Sequence, residues 1–203
     1  MIYTVYAGGD DLLLVGPWLE IVNFANKFYQ RFKEFVGNNP DITLSAGISL
    51  LSASAPIPGA AEKAHSYLEL SKDMKGKNAI TVFDTTVHWD SLEELLKFAD
   101  FLDTEINNEE SRINVGFIYR LFKYRRMFID SEEGKIEGLR FHSLMNYDIK
   151  RNIEQKKGEE IINKETLDKL KPLYATGDAL DKELLRNLNI PLYIALLKNR
   201  GGK

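Results

Sequence analysis

The sequence has no cysteine among its 203 residues, which excludes disulfide scaffolds, thiolate zinc sites and cysteine nucleophiles. Histidine is scarce. His65, His88 and His142 stand far apart without metal-ligand spacing and are expected to be structural. Apolar runs such as Leu12 to Val15 fall far short of a membrane span, and Met1 leads into a strand-like segment rather than a basic and then apolar leader. Neither charge sign dominates: 27 Lys and Arg face 30 Asp and Glu, a net charge of −3. That balance argues against a protein that coats nucleic acid generally, while leaving room for a local basic groove. No Gly-x-Ser-x-Gly elbow, Walker-type loop, internal repeat or low-complexity segment occurs. What remains, 44% hydrophobic and 28% charged, is the composition of a soluble, cytoplasmic globular protein of one to two domains.

Ile2 to Ala7 reads as a strand, Gly8-Gly9-Asp10-Asp11 as a turn and Leu12 to Val15 as the returning strand. This is a β-hairpin with a carboxylate pair near its tip. Gly16-Pro17 precedes a helix from Trp18 to Val36, in which Ile21, Val22, Ala25, Phe28, Phe32 and Phe35 recur at helical spacing. Gly37-Asn38-Asn39-Pro40 stops it. Ile42 to Leu50 alternates as a strand, and Pro58 opens a helix carrying Ala60, Ala64, Tyr67 and Leu68. Lys75-Gly76-Lys77-Asn78 turns the chain into a last strand, Ala79 to Phe83. The order predicts an α+β fold, a partial ferredoxin-like layer. Beyond it the spacing predicts only helices, over 91–107, 111–129, 139–155, 165–174 and 180–197, the last kinked or split by Pro191. The boundary is placed between 85 and 90, giving an α+β domain over 1–86 and an all-α domain over 87–203.

Three features carry chemistry. Asp10 and Asp11, adjacent on a glycine turn, are suited to holding hard divalent cations through oxygen, and two such ions can drive nucleotidyl transfer. The same residues also satisfy an ordinary solvated turn. Lys72 and Lys77 lie beside Gly76 at a helix end, where cations suit phosphate oxygens but are equally favoured by the helix dipole. Arg120, Lys123, Arg125 and Arg126 interleave with Tyr119, Phe122, Tyr124 and Phe128. Such a stripe can track nucleic acid, although so apolar a helix fits a bundle or protein interface better.

Together these pieces resemble the C-terminal part of the large, polymerase-like subunit of type III-A CRISPR–Cas (Csm) effector complexes. The resemblance rests on Tyr6 through Trp18, on Leu44-Ser45-Ala46-Gly47-Ile48, on Lys75 through Ile80, and on Tyr147-Asp148-Ile149-Lys150-Arg151-Asn152. It implies a second palm domain, similar to nucleotide cyclases and polymerases, followed by a small helical domain. The activity it implies is synthesis of cyclic oligoadenylates from ATP when a guide RNA complex captures target RNA. Asp10 and Asp11 would bind Mg2+ or Mn2+, Gly8 and Gly9 would admit the nucleotide, Lys72 and Lys77 would face phosphate, and Ser45 would lie near base or ribose. The implied partners are the small helical subunit, a neighbouring backbone-type subunit, the rest of its own chain, and guide and target RNA through the complex; no membrane is implied. In that family a strand preceding the hairpin supplies a further metal ligand and separates the hairpin from the next strand. The sequence starts at the hairpin, so a truncated and catalytically dead fragment with unpaired sheet edges is expected. Two other readings stay open: an architectural module whose Asp pair does no chemistry, and a diguanylate-cyclase-like signalling domain, from which Leu12 and the long helical tail depart.

Overall fold

A two-residue hairpin loop needs a positive φ at its first position, and Gly9 supplies it at 61°. β1 (Tyr3–Gly8) and β2 (Asp11–Val15) accordingly run antiparallel and close on the Gly8–Asp11 pair, with one register slip between Thr4 and Tyr6. A computed structural model describes residues 1–52, 56–154 and 164–200. The chain divides into two compact units, Met1–Glu94 and Leu95–Lys203.

In the first unit the hairpin is followed by α1 (Trp18–Phe35), β3 (Ala46–Ile48), α2 (Ile57–Asp73), β4 (Ala79–Val82) and β5 (Thr85–His88). β3 pairs parallel with β4 across α2, and β4 pairs antiparallel with β5. The hairpin forms a sheet of its own, in line with the expectation that it would not pair directly with the next strand. Gly47 lets α2 lie on the sheet: a Cβ there would sit 2.4 Å from both the Ala64 carbonyl oxygen and the Leu68 nitrogen. Beneath that crossing, the Ser71 hydroxyl donates to the Ala46 carbonyl at 2.7 Å. It also shares a hydrogen bond with Thr81 at 2.7 Å, and Thr81 shares one with Thr86 at 2.8 Å. Buried hydroxyls are thereby satisfied from helix to strand to strand.

The sheet differs from expectation at both ends. The segment 42–50 contributes only Ala46–Ile48, because Leu44 is spent on side chains: its nitrogen donates to Asn78 Oδ1 at 3.4 Å and its carbonyl accepts from Trp89 Nε1 at 2.9 Å. The strand after α2 is not the last. Phe83 and Asp84, with φ of 50° and 56°, form a two-residue turn that folds β5 back on β4. The Tyr67 hydroxyl donates to the Asp84 carboxylate and holds that turn to α2. β5 therefore lies within the first compact unit, whose end at Glu94 falls inside α3 (Trp89–Asn107).

The second unit contains α4 (Val115–Glu132), α5 (Phe141–Ile149), α6 (Lys164–Tyr174), α7 (Lys182–Asn187) and α8 (Asn189–Arg200). Asn114 caps α4 by accepting from the Phe117 nitrogen at 3.0 Å. Leu102, Phe117, Ile118, Leu121, Met145 and Leu192 are among the buried residues of one hydrophobic core. The segment expected as a single helix over 139–155 is a 3₁₀ turn (Ile136–Arg140), α5 and a π turn (Lys150–Glu154); Gln155 lies outside the described residues. The 180–197 helix is split as the proline predicts. α7 ends before Leu188, and Pro191 falls in the first turn of α8, where its missing N–H costs nothing.

Candidate functional site

Pairing across the hairpin puts Asp11 opposite Gly8 and Leu13 opposite Tyr6, so the Asp11 carboxylate and the Tyr6 ring share a face. Gly8 has no side chain to crowd Asp11, and the Tyr6 hydroxyl fills that place instead, 2.7 Å from where a Gly8 Cβ would stand. Asp10 occupies the second loop position, and a Cβ at Gly9 would meet nothing within 4 Å. Asp10 and Asp11 are both exposed, and among the described residues no side chain is hydrogen-bonded to either. The result is two exposed hard oxygen donors, adjacent at the end of the hairpin.

α2 brings one cation to this hairpin. Lys72, on the last turn of α2, pairs with Glu69 at 2.9 Å. Its ammonium is held above the ordinary lysine range, first by that hydrogen bond and further by the negative charge of Asp11 and Asp10. Lys72 is thus electrically coupled to the Asp pair. Among the described residues no hydrogen bond or ion pair joins Lys77 or Ser45 to it. Lys77 is exposed in a left-handed turn in which Gly76, Lys77 and Asn78 have φ of 81°, 50° and 51°. Ser45 is half-buried just before β3.

The neighbour of Lys77 has a different task. Asn78 Nδ2 donates to the Tyr29 hydroxyl at 2.9 Å, and Tyr29 stacks on Trp89 with ring centroids 4.7 Å apart. Asn78 thus ties α1, the approach to β3 and the start of α3 behind the site. Glu69 was also missed in the sequence reading, although its position three residues before Lys72 on a helix is a readable ion-pair spacing.

The basic and aromatic stripe resolves into two kinds of residue. The Asp148 carboxylate accepts from Arg120 Nε at 2.7 Å and from the Tyr124 hydroxyl at 3.0 Å on one oxygen, and from Asn152 Nδ2 on the other. Burial, and then the bond to Asp148, pushes the Tyr124 phenol up to about 12. Arg125 donates to the Arg186 carbonyl at 2.8 Å, and burial depresses its guanidinium. Two of the four cations are thus committed within the unit, leaving Lys123 and Arg126 exposed. His88 and His142 face the carbonyls of Asn78 and Ala175, as structural groups do, while His65 is exposed on α2. No helix among the described residues is long and apolar enough to cross a membrane.

Comparison with known proteins matches residues 1–81 to the second palm domain of Cas10/Cmr2. Three relatives share the name CRISPR system single-strand-specific deoxyribonuclease Cas10/Csm1 (subtype III-A). The Mycobacterium tuberculosis protein is 32% identical over 124 residues, 59% of this chain and 15% of the relative. That of Methanocaldococcus jannaschii is 40% identical over 100 residues, 44% of this chain and 12% of the relative. That of Streptococcus thermophilus is 30% identical over 151 residues, 68% of this chain and 18% of the relative. The chain therefore spans less than a fifth of the length of these relatives.

Proposed function

The chain belongs to the Cas10/Csm1 family of type III CRISPR effector subunits, carrying its second palm domain and a helical region, and on that premise we propose that its hairpin serves metal-dependent nucleotidyl transfer. The substrate is ATP, the product a cyclic oligoadenylate, and the trigger is capture of target RNA by the assembled RNA-guided complex. One observation carries this reading: an exposed Asp10–Asp11 pair at a two-residue hairpin turn, with no side-chain hydrogen bond to either among the described residues and with Lys72 acting on both through its charge.

The donor set fits the metal. Mg2+ and Mn2+ take hard oxygens and are commonly held by one or two carboxylates together with substrate phosphates. Asp10 and Asp11, both exposed and adjacent, supply two such carboxylates and would hold the ion together with the nucleotide. Held there, such an ion would supply charge to activate an attacking hydroxyl and to stabilise a leaving pyrophosphate. Gly9 leaves the loop open to the nucleotide, Gly8 would admit it only as the Tyr6 hydroxyl beside it gives way, and Lys72 faces its phosphates as a mobile point charge. Lys77 and Ser45 are assigned lesser places, toward phosphate and toward base or ribose. The helical unit docks on the small helical subunit and a neighbouring backbone-type subunit of the Csm complex, with guide and target RNA reached through the complex.

The test uses the full-length subunit in its assembled complex, with Mg2+ or Mn2+ and labelled ATP, with and without target RNA. Wild type is expected to make RNA-dependent cyclic oligoadenylate. Asp10→Ala with Asp11→Ala should lower synthesis by at least a thousandfold while the complex still assembles, loss of charge stabilisation at the reacting phosphate being worth several kcal/mol. Retained synthesis removes the pair from the mechanism.

A further inference from the structure

The ion pair that occupies Lys72 is itself informative. Lys72 and Glu69 sit one turn apart on the end of α2, Nζ to Oε1 2.9 Å, with side chains 45% and 49% exposed. Three carboxylates, Asp10, Asp11 and Glu69, act on this one ammonium, and Glu69 is the only one in contact with it. Glu69 in turn feels Lys72 most and His65 least among the charges that hold it ionised. A polyphosphate arriving at the hairpin meets a cation already neutralised by a neighbour. Exposed pairs of this spacing are weak, so exchanging one anion for another at Lys72 is easy, and the released Glu69 returns to water.

We propose that Glu69 is the resident counter-ion of Lys72, parking the ammonium beside the Asp10–Asp11 hairpin until the phosphates of the nucleotide displace it. The assignment rests on the nucleotidyl-transfer reading above and deepens it. It makes Glu69 a brake on nucleotide affinity rather than a ligand. Removing its charge unmasks Lys72, and the effect runs through that ammonium alone. An orienting role would have the opposite sign, since a lysine that needs Glu69 to point correctly would bind phosphate worse without it.

The experiment measures, for the full-length subunit in its assembled complex with Mg2+ and target RNA, the KM for ATP in synthesis and the Kd for ATP by equilibrium binding. Glu69→Gln is expected to lower both by about two- to fivefold, the range of a single exposed charge contact. Lys72→Met should raise both, and adding Glu69→Gln to Lys72→Met should change neither further. An increase in KM or Kd in Glu69→Gln, a loss of kcat with Kd unchanged, or an equal effect with Lys72 absent overturns the counter-ion. The parent reading fails separately, through synthesis retained in Asp10→Ala with Asp11→Ala. The binding arm reads the counter-ion whether or not product forms.

Discussion

Asp148 in the helical unit is 4% exposed and receives hydrogen bonds from Arg120, Tyr124 and Asn152, whereas Asp10 and Asp11 stand exposed on a hairpin with no described side chain bonded to either. The three residues are chemically the same, and the family resemblance covers both places. Their surroundings give them different work. A carboxylate buried among three donors has its lone pairs occupied, and any ligand would have to displace them against the cost of leaving charges unpaired. An exposed pair opposite a glycine has its acceptor capacity unused. Asp148 therefore belongs to the architecture that joins α4, α5 and the π turn, whereas Asp10 and Asp11 face solvent with their acceptor capacity unused.

The sharpest break of this contrast is Asp148→Ala. It strands Arg120 and two neutral donors, and partial exposure of Arg120, 39% at the side chain, moderates the penalty. Urea unfolding should show a loss of about 2–3 kcal/mol, below the value for a fully buried pair. The double Asp10→Ala, Asp11→Ala variant should unfold within about 0.5 kcal/mol of wild type, as exposed positions do. Equal losses at the two places would erase the distinction between them.

A smaller effect tests the same division inside the palm unit, between the hairpin and the sheet behind it. Gly47→Ala places a methyl group 2.4 Å from two backbone atoms of α2, which only a shift of the helix can relieve. The expected cost is about 1–3 kcal/mol. Because α2 carries Lys72, this variant should also weaken ATP binding in the assembled complex, which an exposed-hairpin variant reaches without touching stability. A Gly47→Ala protein as stable as wild type would mean that α2 does not rest on β3 as closely as described.

Local spacing made much of this legible. Gly9 marked the hairpin turn, its two aspartates followed from residue identity, and the helical run before Lys75-Gly76-Lys77-Asn78 placed Lys72 at the end of α2. Pro191 announced the break between α7 and α8. What escaped had no local signature. The turn that adds β5 uses Phe83 and Asp84 in left-handed conformations, where a glycine or asparagine would have advertised it. It is held instead by Tyr67 from another element. Arg120 and Asp148 are 28 residues apart, so nothing in the basic stripe foretold that half of it faces inward. The 139–155 helix read as continuous because apolar periodicity does not distinguish α from 3₁₀ and π turns of similar pitch.

The mildest prediction follows the buried acid through one of its donors. The Tyr124 phenol is pushed up to about 12, first by burial and then by its hydrogen bond to Asp148, from an ordinary value of 10.0. Below pH 10 the phenol is neutral in both states, and the stabilisation is fully present. Between pH 10 and about 12 the unfolded chain loses this proton while the folded chain keeps it, so stability drains away as pH rises through that window. Tyr124→Phe removes both the hydrogen bond and the titration. At pH 8 it should cost about 1 kcal/mol, the net worth of one buried hydrogen bond. The gap to wild type should then narrow as pH rises from 10 toward 12, the remaining tyrosines cancelling between the two proteins. Urea unfolding of both at pH 8, 10 and 11 reads this directly, and a constant gap would mean that the folded protein does not hold the Tyr124 proton against Asp148.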